Sequence, residues 1–371
     1  MESLKEQILN EVSADLWTSL SLSQKPILMY GMGNGADKIL AVLETYGVEI
    51  ADFFASDGFV RGHAFHGKVV LSYSDAIRKH GEDAIILVSF GSQLPDVMER
   101  IFSLSERHEL YIPDVPVSGD SAIFNMDFFL SHADELSFAY DRLADEESRC
   151  IFKNVILYKL TGAPRYLKAS ESSEEEIFRS VLTKPYTSFA DLGAYNGDTL
   201  SYYTARFPTI GRVFTMEPDG RNFRKLSAKI PEYPNIKITA TQAAAWDKAE
   251  ALTFTAAGNR NSSGSASGTL HGAKVVTVEA LPPDAVISEY VDFIKYDVEG
   301  AEERALEGSK EVIRRYRPDL LVSAYHRSED LCRLPRKILD ICPDYRLYLR
   351  RLPYFPAWDI NLYGIIDEET R

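Results

Sequence analysis

The sequence predicts an α/β protein with two parallel sheets, a smaller Rossmann-like one near the N-terminus and a doubly wound, seven-stranded one in the C-terminal half. Short apolar runs alternate with amphipathic segments over residues 25–103 and again from residue 186, a pattern typical of βαβ units. A glycine-rich turn follows the first strand of each region. Because 371 residues exceed one ordinary core, we expect a first domain over residues 1–115, a helical connector over 116–185 and a second domain over 186–371.

The composition is that of a globular protein, with 45% hydrophobic and 26% charged residues. A formal net charge of -14 argues against nucleic acid as the main partner, because phosphate contacts need clustered Lys and Arg. The N-terminus lacks a basic segment followed by an apolar run, and no apolar run approaches the ~20 residues of a membrane helix. The three cysteines have neither metal-site nor disulfide-framework spacing. We therefore expect a cytoplasmic protein without membrane insertion, and the sequence leaves a homo-oligomer open.

Two clusters of basic residues are candidates for local positive patches, although most such clusters are simply solvated faces. They are Arg346, Arg350 and Arg351, and Arg221, Arg224, Lys225 and Lys229.

Residues 1–22 carry apolar residues at helical spacing and predict one amphipathic helix. Residues 25–30 predict a strand that runs into the turn GMGNGA at 31–36, a G-x-G-x-x-A pattern between strand and helix. The candidate nucleotide-binding residues here are Gly31, Gly33, Asn34 and, about 20 residues on, Asp57. The domain resembles the N-terminal domain of bacterial sugar acyltransferases, which implies a nucleotide-sugar ligand. The alternative is a Rossmann-like scaffold that binds nothing.

Residues 113–184 predict two or three helices that join the domains. Beyond them, strands are predicted at 187–193, 212–216, 236–245, 292–297, 319–325, 345–349 and 360–365. Residues 258–268 have no core-forming side chains and predict a mobile loop.

The sequence FADLGAYNGDTL at residues 189–200 predicts a strand, a tight turn and a helix. Gly193 and Gly197 let the backbone approach a ligand, and the helix start directs free N–H groups to the same place. Asp191 at the strand end is a candidate acceptor of hydrogen bonds from ribose hydroxyls or an amino group. The turn therefore suits a nucleotide-like ligand.

Further candidates lie at the ends of the next three strands, where ligands bind in doubly wound sheets. Glu217 lies 20 residues after Gly197, as expected of an acid that binds both ribose hydroxyls. Residues 242–247, QAAAWD, offer small and aromatic side chains to flank an adenine. Residues 293–302, FIKYDVEGAE, deliver three carboxylates to the start of a helix.

These motifs resemble those of FkbM-type methyltransferases, which have the class I S-adenosylmethionine-dependent fold. The matching segments are residues 191–194, 197–199, 217–218, 292–295, 297–302 and 323–326. The resemblance implies S-adenosylmethionine as the cofactor. The residues it implies for the cofactor are Asp191, Gly193, Ala194, Gly197, Glu217, Trp246 and Asp247. Those it implies for the acceptor side are Asp297, Glu299, Glu302, Tyr325 and His326.

Methyl transfer needs an acceptor oxygen or nitrogen aligned with the sulfonium and, for a hydroxyl, a base. Our first candidate for the base is His326, since imidazole titrates near neutral pH, and Asp297 is the second. The carboxylates of residues 297–302 can alternatively cap the helix that follows. We expect no metal, with a divalent ion at Asp297, Glu299 and His326 as the minor alternative.

The predicted function is methylation of a hydroxyl group on a sugar, a nucleotide sugar or a related small metabolite. One alternative is a non-catalytic protein that senses nucleotides. Another is an NAD-dependent oxidoreductase that uses the N-terminal glycine turn, although no hydride-transfer site accompanies that turn.

Overall fold

The computed structural model describes residues 2–60, 62–256 and 274–367 of the chain. Within these residues, five strands form one sheet near the N-terminus and seven form a second sheet in the C-terminal half. The predicted fold class, a doubly wound seven-stranded sheet with a smaller Rossmann-like sheet, is confirmed. The loop predicted at residues 258–268 lies outside the described residues.

The N-terminal elements alternate between helix and strand. They are α1 (Leu4–Glu11), α2 (Leu16–Leu22), β1 (Ile27–Tyr30), α3 (Asn34–Thr45), β2 (Asp52–Ala55), β3 (Ala64–Phe65), β4 (Lys68–Val69), β5 (Leu71–Ser72), α4 (Tyr73–His80), β6 (Ile85–Val88), α5 (Pro95–Ser105) and β7 (Leu110–Tyr111). The sheet has the order β5-β2-β1-β6-β7, and all its strand pairs are parallel. Strands β1 and β6 are buried along their whole length, as expected for parallel strands covered on both faces.

The single helix predicted over residues 1–22 is wrong, because α1 and α2 are separate helices. Asp15 is the reason for the break. One of its carboxylate oxygens caps α2 by accepting a hydrogen bond from the Thr18 N–H at 2.8 Å. The other oxygen accepts from the Met126 N–H at 2.9 Å and so anchors the break to the connector.

The connector contains more helices than the two or three predicted. They are α6 (Met126–Ser131), α7 (Ala133–Asp141), α8 (Glu146–Thr161), α9 (Pro164–Ala169) and α10 (Glu174–Ser180). The long run of apolar spacing is interrupted by capping residues, such as Asp145, which accepts a hydrogen bond from the Ser148 N–H at 2.7 Å. Most side chains of α8 are buried, so this helix belongs to the core.

The C-terminal part begins with β8 and ends with β17. Its elements are β8 (Ser188–Leu192), α11 (Asp198–Arg206), β9 (Arg212–Met216), α12 (Gly220–Lys229), a 3-10 helix (Ile230–Glu232), β10 (Lys237–Thr241), β11 (Ala244–Ala245), β12 (Glu250–Ala256), β13 (Lys274–Leu281), α13 (Pro283–Val286), β14 (Phe293–Tyr296), α14 (Glu302–Glu307), α15 (Lys310–Tyr316), β15 (Asp319–Ser323), α16 (Asp330–Ile341), β16 (Arg346–Arg351) and β17 (Ile360–Ile365).

The second sheet has the strand order β10-β9-β8-β14-β15-β17-β16. Strands β10, β9, β8, β14 and β15 are parallel, whereas β17 pairs antiparallel with both β15 and β16. The strand predicted over residues 236–245 is in fact two strands, since β11 leaves this sheet and pairs with β13. The five parallel strands place the carboxyl ends of β8, β9, β14 and β15 along one edge.

The two sheets share a large hydrophobic core, and backbone hydrogen bonds also connect their loops. Ser92, after β6, exchanges two backbone hydrogen bonds of 2.9 Å with Phe355, which precedes β17. The Ser118 N–H donates to the carbonyl of His326 at 3.0 Å. The N-terminal sheet and the connector therefore reach the edge of the second sheet where the parallel strands end.

The basic patch predicted at Arg350 and Arg351 is wrong, because both side chains are buried. The Arg350 guanidinium donates to Asp145 at 2.7 Å and to Glu176 at 2.8 Å, and so joins β16 to the connector helices α8 and α10. Arg351 donates to the hydroxyl of Ser170 at 2.8 Å. Both arginines hold the connector to the sheet.

We expect Arg350→Met to lower the free energy of unfolding by about 3 kcal/mol, since it leaves two partly buried carboxylates without their partner. Arg346→Met is the matched control, because Arg346 lies on the same strand, is exposed, and only approaches Asp367 at 3.5 Å. We expect a change within about 0.5 kcal/mol for that control. Urea unfolding of both variants measures the difference, and equal losses would contradict this account of Arg350.

Candidate active site

A cavity of about 470 Å³ opens at the carboxyl ends of the parallel strands of the second sheet. One side is formed by residues that follow β8 and β9, among them Gly193, Tyr195 and Glu217. The opposite side is formed by residues that follow β14 and β15, among them Asp297 and His326. The structure thus brings together residues from four separate segments that the sequence singled out.

The turn after β8 depends on Gly193, which has φ 91°. Its N–H donates to the Met216 carbonyl at 2.9 Å, which ties the turn to β9. A Cβ at this position would lie 1.9 Å from the carbonyl oxygen of Asp297. Glycine is therefore required for the loops after β8 and β14 to approach each other. Gly197, with φ 78°, packs against Leu226 instead of lining the cavity.

Glu217 is buried beside the turn and lines the cavity. One carboxylate oxygen accepts from the Tyr195 N–H at 2.8 Å, and the other accepts from the Asp219 N–H at 2.8 Å. Burial raises the pKa of Glu217 to about 7, although these two N–H groups act in the opposite direction. The backbone therefore fixes this carboxyl group in place and leaves lone pairs for hydroxyl donors from a ligand.

Asp191 is fully buried and does not line the cavity. Burial raises its pKa to about 7, which the Lys295 ammonium, 3.9 Å away, partly counteracts. Neither carboxylate oxygen has a hydrogen-bond partner among the described residues. The structure places the predicted cofactor residue Ala194 likewise outside the cavity wall, so Gly193 is the predicted cofactor residue of this motif that reaches the cavity, together with its neighbours Tyr195, Asp198 and Thr199.

Only part of the segment predicted to flank an adenine, residues 242–247, lines the cavity. Ala244, Ala245 and Trp246 line the cavity, whereas Asp247 does not. The Asp247 carboxylate pairs with Arg304 at 2.6 Å, and the Arg304 guanidinium lies 5.4 Å from the centre of the Trp246 ring. Asp247 therefore holds Arg304 beside the Trp246 ring and is not part of the cavity wall.

Asp297 and Glu299 lie on the opposite side of the cavity. Burial raises the pKa of Asp297, but Lys295, whose ammonium is 3.0 Å away, and His326 outweigh it and hold this pKa below its usual value. Burial raises the pKa of Glu299 to about 7. Glu299 has φ 55°, a conformation that is costly for a residue with a side chain and that clusters at functional sites.

His326 is buried and surrounded by carboxylates. Its Nδ1 lies 2.9 Å from a carboxylate oxygen of Glu302, and its Nε2 lies 3.6 Å from Asp297 and 3.6 Å from Glu299. Burial lowers the pKa of His326, but these carboxylates outweigh it and raise the pKa to about 10. Without another cation among these carboxylates, this raised pKa favours the protonated ring near neutral pH, a form that does not suit the proton-accepting role proposed for it from the sequence.

Glu302 lies behind His326 and outside the cavity wall. It accepts a hydrogen bond from the Val298 N–H at 2.9 Å and so holds the loop before α14. The start of α14 itself has no side-chain cap, which differs from the helix-capping alternative. Tyr325 lines the cavity, and its hydroxyl lies 3.5 Å from Asp297. These residues surround the same two groups, Asp297 and His326.

Sequence reasoning missed several residues of the cavity wall. Lys295 was quoted only as part of a motif, and the signal was its spacing of two residues from Asp297, which places both side chains on the same face of the sheet. Others come from distant segments that carry no motif, among them Gln93, Val117, Tyr354, Trp358 and Asp359.

The four candidate residues of the N-terminal glycine turn do not line this cavity. Gly31 has φ 110°, and a Cβ there would lie 2.7 Å from the Ser89 hydroxyl, so close packing already explains the glycine. Asp57 accepts hydrogen bonds from the N–H and the hydroxyl of Ser74, at 3.1 and 2.6 Å. It therefore holds the start of α4.

Comparison with known proteins decides the family. Residues 191–354 match the family model described as the methyltransferase FkbM domain. This match contains β9, β10, β14, β15 and β16 of the second sheet. The family resemblance found from the motifs is confirmed. No curated protein matches the chain in sequence.

The FkbM domain and the rest of the chain are also similar to solved structures. The methyltransferase FkbM from Methylobacillus flagellatus KT is 21% identical, with a TM-score of 0.69, and the match covers 98% of this chain and 94% of that chain. At this identity the likeness shows the fold. Precorrin-6y C5,15-methyltransferase from Geobacter metallireducens GS-15 is 11% identical, with a TM-score of 0.33 over 53% of this chain and 90% of that chain.

In the described part of the chain, none of the helices is both long and apolar enough to span a membrane.

Proposed function

We propose that this FkbM methyltransferase transfers the methyl group of S-adenosylmethionine to a hydroxyl group of a sugar, a nucleotide sugar or a related small metabolite. The observation that carries the proposal is the single cavity that joins the Gly193 turn and Glu217 to Asp297 and His326. A nucleotide-binding half and a charged half thus face the same space, as transfer between two bound molecules requires.

The residues of the first half fit an S-adenosyl ligand. The Glu217 carboxyl group is held by two backbone N–H groups and can accept hydrogen bonds from ribose hydroxyls. Gly193 keeps the backbone open where the amino-acid part would lie, and Trp246 offers an aromatic face for the adenine. When bound, the cofactor supplies a methyl group that the positive sulfonium has already activated.

The second half would hold and orient the acceptor. Asp297 and Glu299 can accept hydrogen bonds from hydroxyl groups, and Lys295 keeps Asp297 ionised beside them. Asp297 and His326 remain the proposed proton acceptors. The ionised carboxylate of Asp297 can accept a proton directly, whereas the imidazole of His326 can accept one only in its neutral form. An acceptor with several hydroxyl groups matches this set of charged and polar groups better than an apolar acceptor does.

The region expected as the first domain, residues 1–115, contributes Gln93 after β6 to the same cavity, and the expected connector contributes Val117. We propose that the first domain helps to select the acceptor through Gln93. This placement gives the first domain a role that does not need a nucleotide at Gly31 and Gly33. The location of the protein in the cytoplasm and its oligomeric state stay predictions.

The test is transfer of label from [methyl-³H]S-adenosylmethionine to a panel of nucleotide sugars, methyl glycosides and small amines. Label in a hydroxylated sugar, lost in Asp297→Asn with cofactor binding retained, would support the proposal. Label only in amines would contradict hydroxyl transfer. Gln93→Ala should change the order of preferred acceptors without changing the affinity for S-adenosylhomocysteine.

We expect the affinity for S-adenosylhomocysteine to increase about tenfold from pH 6 to pH 8 and then to level off. The pKa of Glu217 is about 7, so its carboxyl group is mostly protonated at pH 6 and mostly ionised at pH 8. Ribose hydroxyls bind the ionised form better, so binding lowers this pKa and gains strength as the pH rises. Asp191, also with a pKa of about 7, changes charge over the same interval.

Isothermal titration calorimetry at pH 6, 7 and 8 measures this dependence. An affinity that falls as the pH rises, or that does not change, would contradict the role of Glu217 as the acceptor of ribose hydroxyls. Glu232→Ala, which changes an exposed carboxylate of the 3-10 helix, should keep the profile of the natural protein.

A further inference from the structure

Four side chains on the acceptor side form what we call the acid–imidazole cluster, namely Asp297, Glu299, Glu302 and His326. Asp297 follows β14, His326 follows β15, and these two strands are parallel neighbours, so both side chains start from the same edge of the sheet. One donor atom from each of Asp297, Glu302 and His326 lies within 4.8 Å of the other two. The fold therefore concentrates one imidazole and three carboxyl groups in a small volume.

The cluster contains buried polar atoms without well-aligned hydrogen bonds. Among the described residues, these are Nδ1 of His326 and Oε2 of Glu302, although both side chains are buried. The Nε2 atom of His326 also lies 3.6 Å from its two nearest carboxylates, beyond the length of a hydrogen bond. Most buried polar atoms in proteins are hydrogen-bonded, and a bound ion is one established reason for an exception.

We propose that the acid–imidazole cluster binds one divalent cation of the Mn²⁺ or Mg²⁺ type, with Asp297, Glu302 and His326 as ligands and Glu299 on the cavity side. Ligands with bonds of ~2.1 Å to one ion are separated by about 3 Å when adjacent and by about 4.2 Å when opposite. One ligand atom from each of Asp297, Glu302 and His326 lies within 4.8 Å of the other two, a spacing slightly wider than this range, and only one nitrogen of His326 would bind the ion.

The chemistry of the donors selects the type of cation. Carboxylate oxygens predominate, and hard oxygen donors suit Mg²⁺ and Mn²⁺, while a single imidazole nitrogen is also accepted by Mn²⁺. None of the three cysteines belongs to the cluster, so no soft thiolate is present to favour zinc in a tetrahedral sulfur site.

Neighbouring groups hold the proposed ligands in place and leave one side of the acid–imidazole cluster open to the cavity. The Val298 N–H donates to Glu302 at 2.9 Å, and the Gly300 N–H donates to the same oxygen at 3.3 Å, so the other oxygen of Glu302 stays available. The Lys295 ammonium occupies one oxygen of Asp297 and leaves the other to face His326. Asp297, Glu299 and His326 line the cavity, through which the ion and oxygen atoms of an acceptor can reach the cluster.

Titration of MnCl₂ into the full chain by isothermal titration calorimetry tests the proposal without any methyl acceptor. We expect one saturable site, weakened about tenfold or more by Asp297→Asn and by Glu302→Gln, because each removes a charged ligand. The matched control is Glu303→Gln, which changes the exposed carboxylate next to Glu302 and should leave the affinity unchanged.

Titration of the natural protein with Mn²⁺ tests the proposed cation site even if a variant does not fold. An absence of saturable binding would overturn the proposal, and so would binding that both Asp297→Asn and Glu302→Gln leave unchanged. The protonated imidazole would then be the cation that the carboxylates balance. Because Mn²⁺ binding is measured without methyl transfer, its failure would leave the proposed methyltransferase function intact, and a failure of methyl transfer would leave this site intact.

Discussion

Glu217→Ala is expected to weaken the binding of S-adenosylhomocysteine about a hundredfold or more. The Glu217 carboxyl group directly follows β9, lines the cavity and is fixed by two backbone N–H groups. Hydrogen bonds to a charged group contribute about 1.5–3 kcal/mol each, and two ribose hydroxyls would lose this partner. Calorimetry with both proteins at pH 8 measures the change.

The variant also leaves the N–H groups of Tyr195 and Asp219 without their acceptor, so its melting temperature must be recorded alongside the affinity. Glu232→Ala is the control for loss of one negative charge at an exposed site. If Glu217→Ala stays folded and binds the ligand as tightly as the natural protein, Glu217 does not contact the ribose.

Gly193→Ala is expected to destabilise the protein by about 3 kcal/mol or more, the largest stability effect of a single added methyl group that we anticipate. The new Cβ would lie 1.9 Å from the carbonyl oxygen of Asp297, which is backbone and cannot rotate away. The positive φ of 91° adds strain that a residue with a side chain rarely accepts. Because the turn forms the cavity wall, we expect loss of S-adenosylhomocysteine binding together with the loss of stability.

Gly211→Ala is the matched control, since a Cβ there would meet no atom within 4 Å. Gly211 also lies in the same domain, one residue before β9. We expect its free energy of unfolding in urea to change by less than about 1 kcal/mol. Equal destabilisation by the two variants would show that the close approach of the β8 and β14 loops is not what requires Gly193.

The sequence predicted those parts of the site that depend on local chain geometry. Gly193 and Glu217 follow strands whose apolar runs and turns are readable, and parallel strands bring their ends to one edge wherever the fold is doubly wound. The same reasoning placed Asp297 at this edge, and the family resemblance added His326. The prediction of the fold was correct for the same reason, since alternating strand and helix patterns leave few topologies for a chain of this kind.

The parts that could not be predicted depend on contacts between distant segments. Nothing near Asp191 in the sequence shows that its carboxyl group is fully buried, or that Asp247 pairs with Arg304. The raised pKa of His326 follows from three carboxylates that only the folded chain assembles. The burial of Arg350 likewise depends on Asp145 and Glu176 from helices far away in the sequence.

The contribution of the N-terminal region to the cavity also had no sequence signal. Gln93 lies in a segment without a motif, whereas the conspicuous glycine turn at Gly31 lies away from the cavity wall. The turn packs against Ser89, and Asp57 holds the start of α4. The glycine pattern at residues 31–36 therefore predicted the local strand–turn–helix fold, but these residues do not line the cavity at the second sheet.

Equilibrium dialysis of the full chain against radiolabelled S-adenosylmethionine tests the central claim most directly. The account predicts one saturable site per chain, displaced by S-adenosylhomocysteine and not by NAD, and strongly weakened in Glu217→Ala. Absence of saturable binding at pH 8, or binding of NAD in its place, would contradict it.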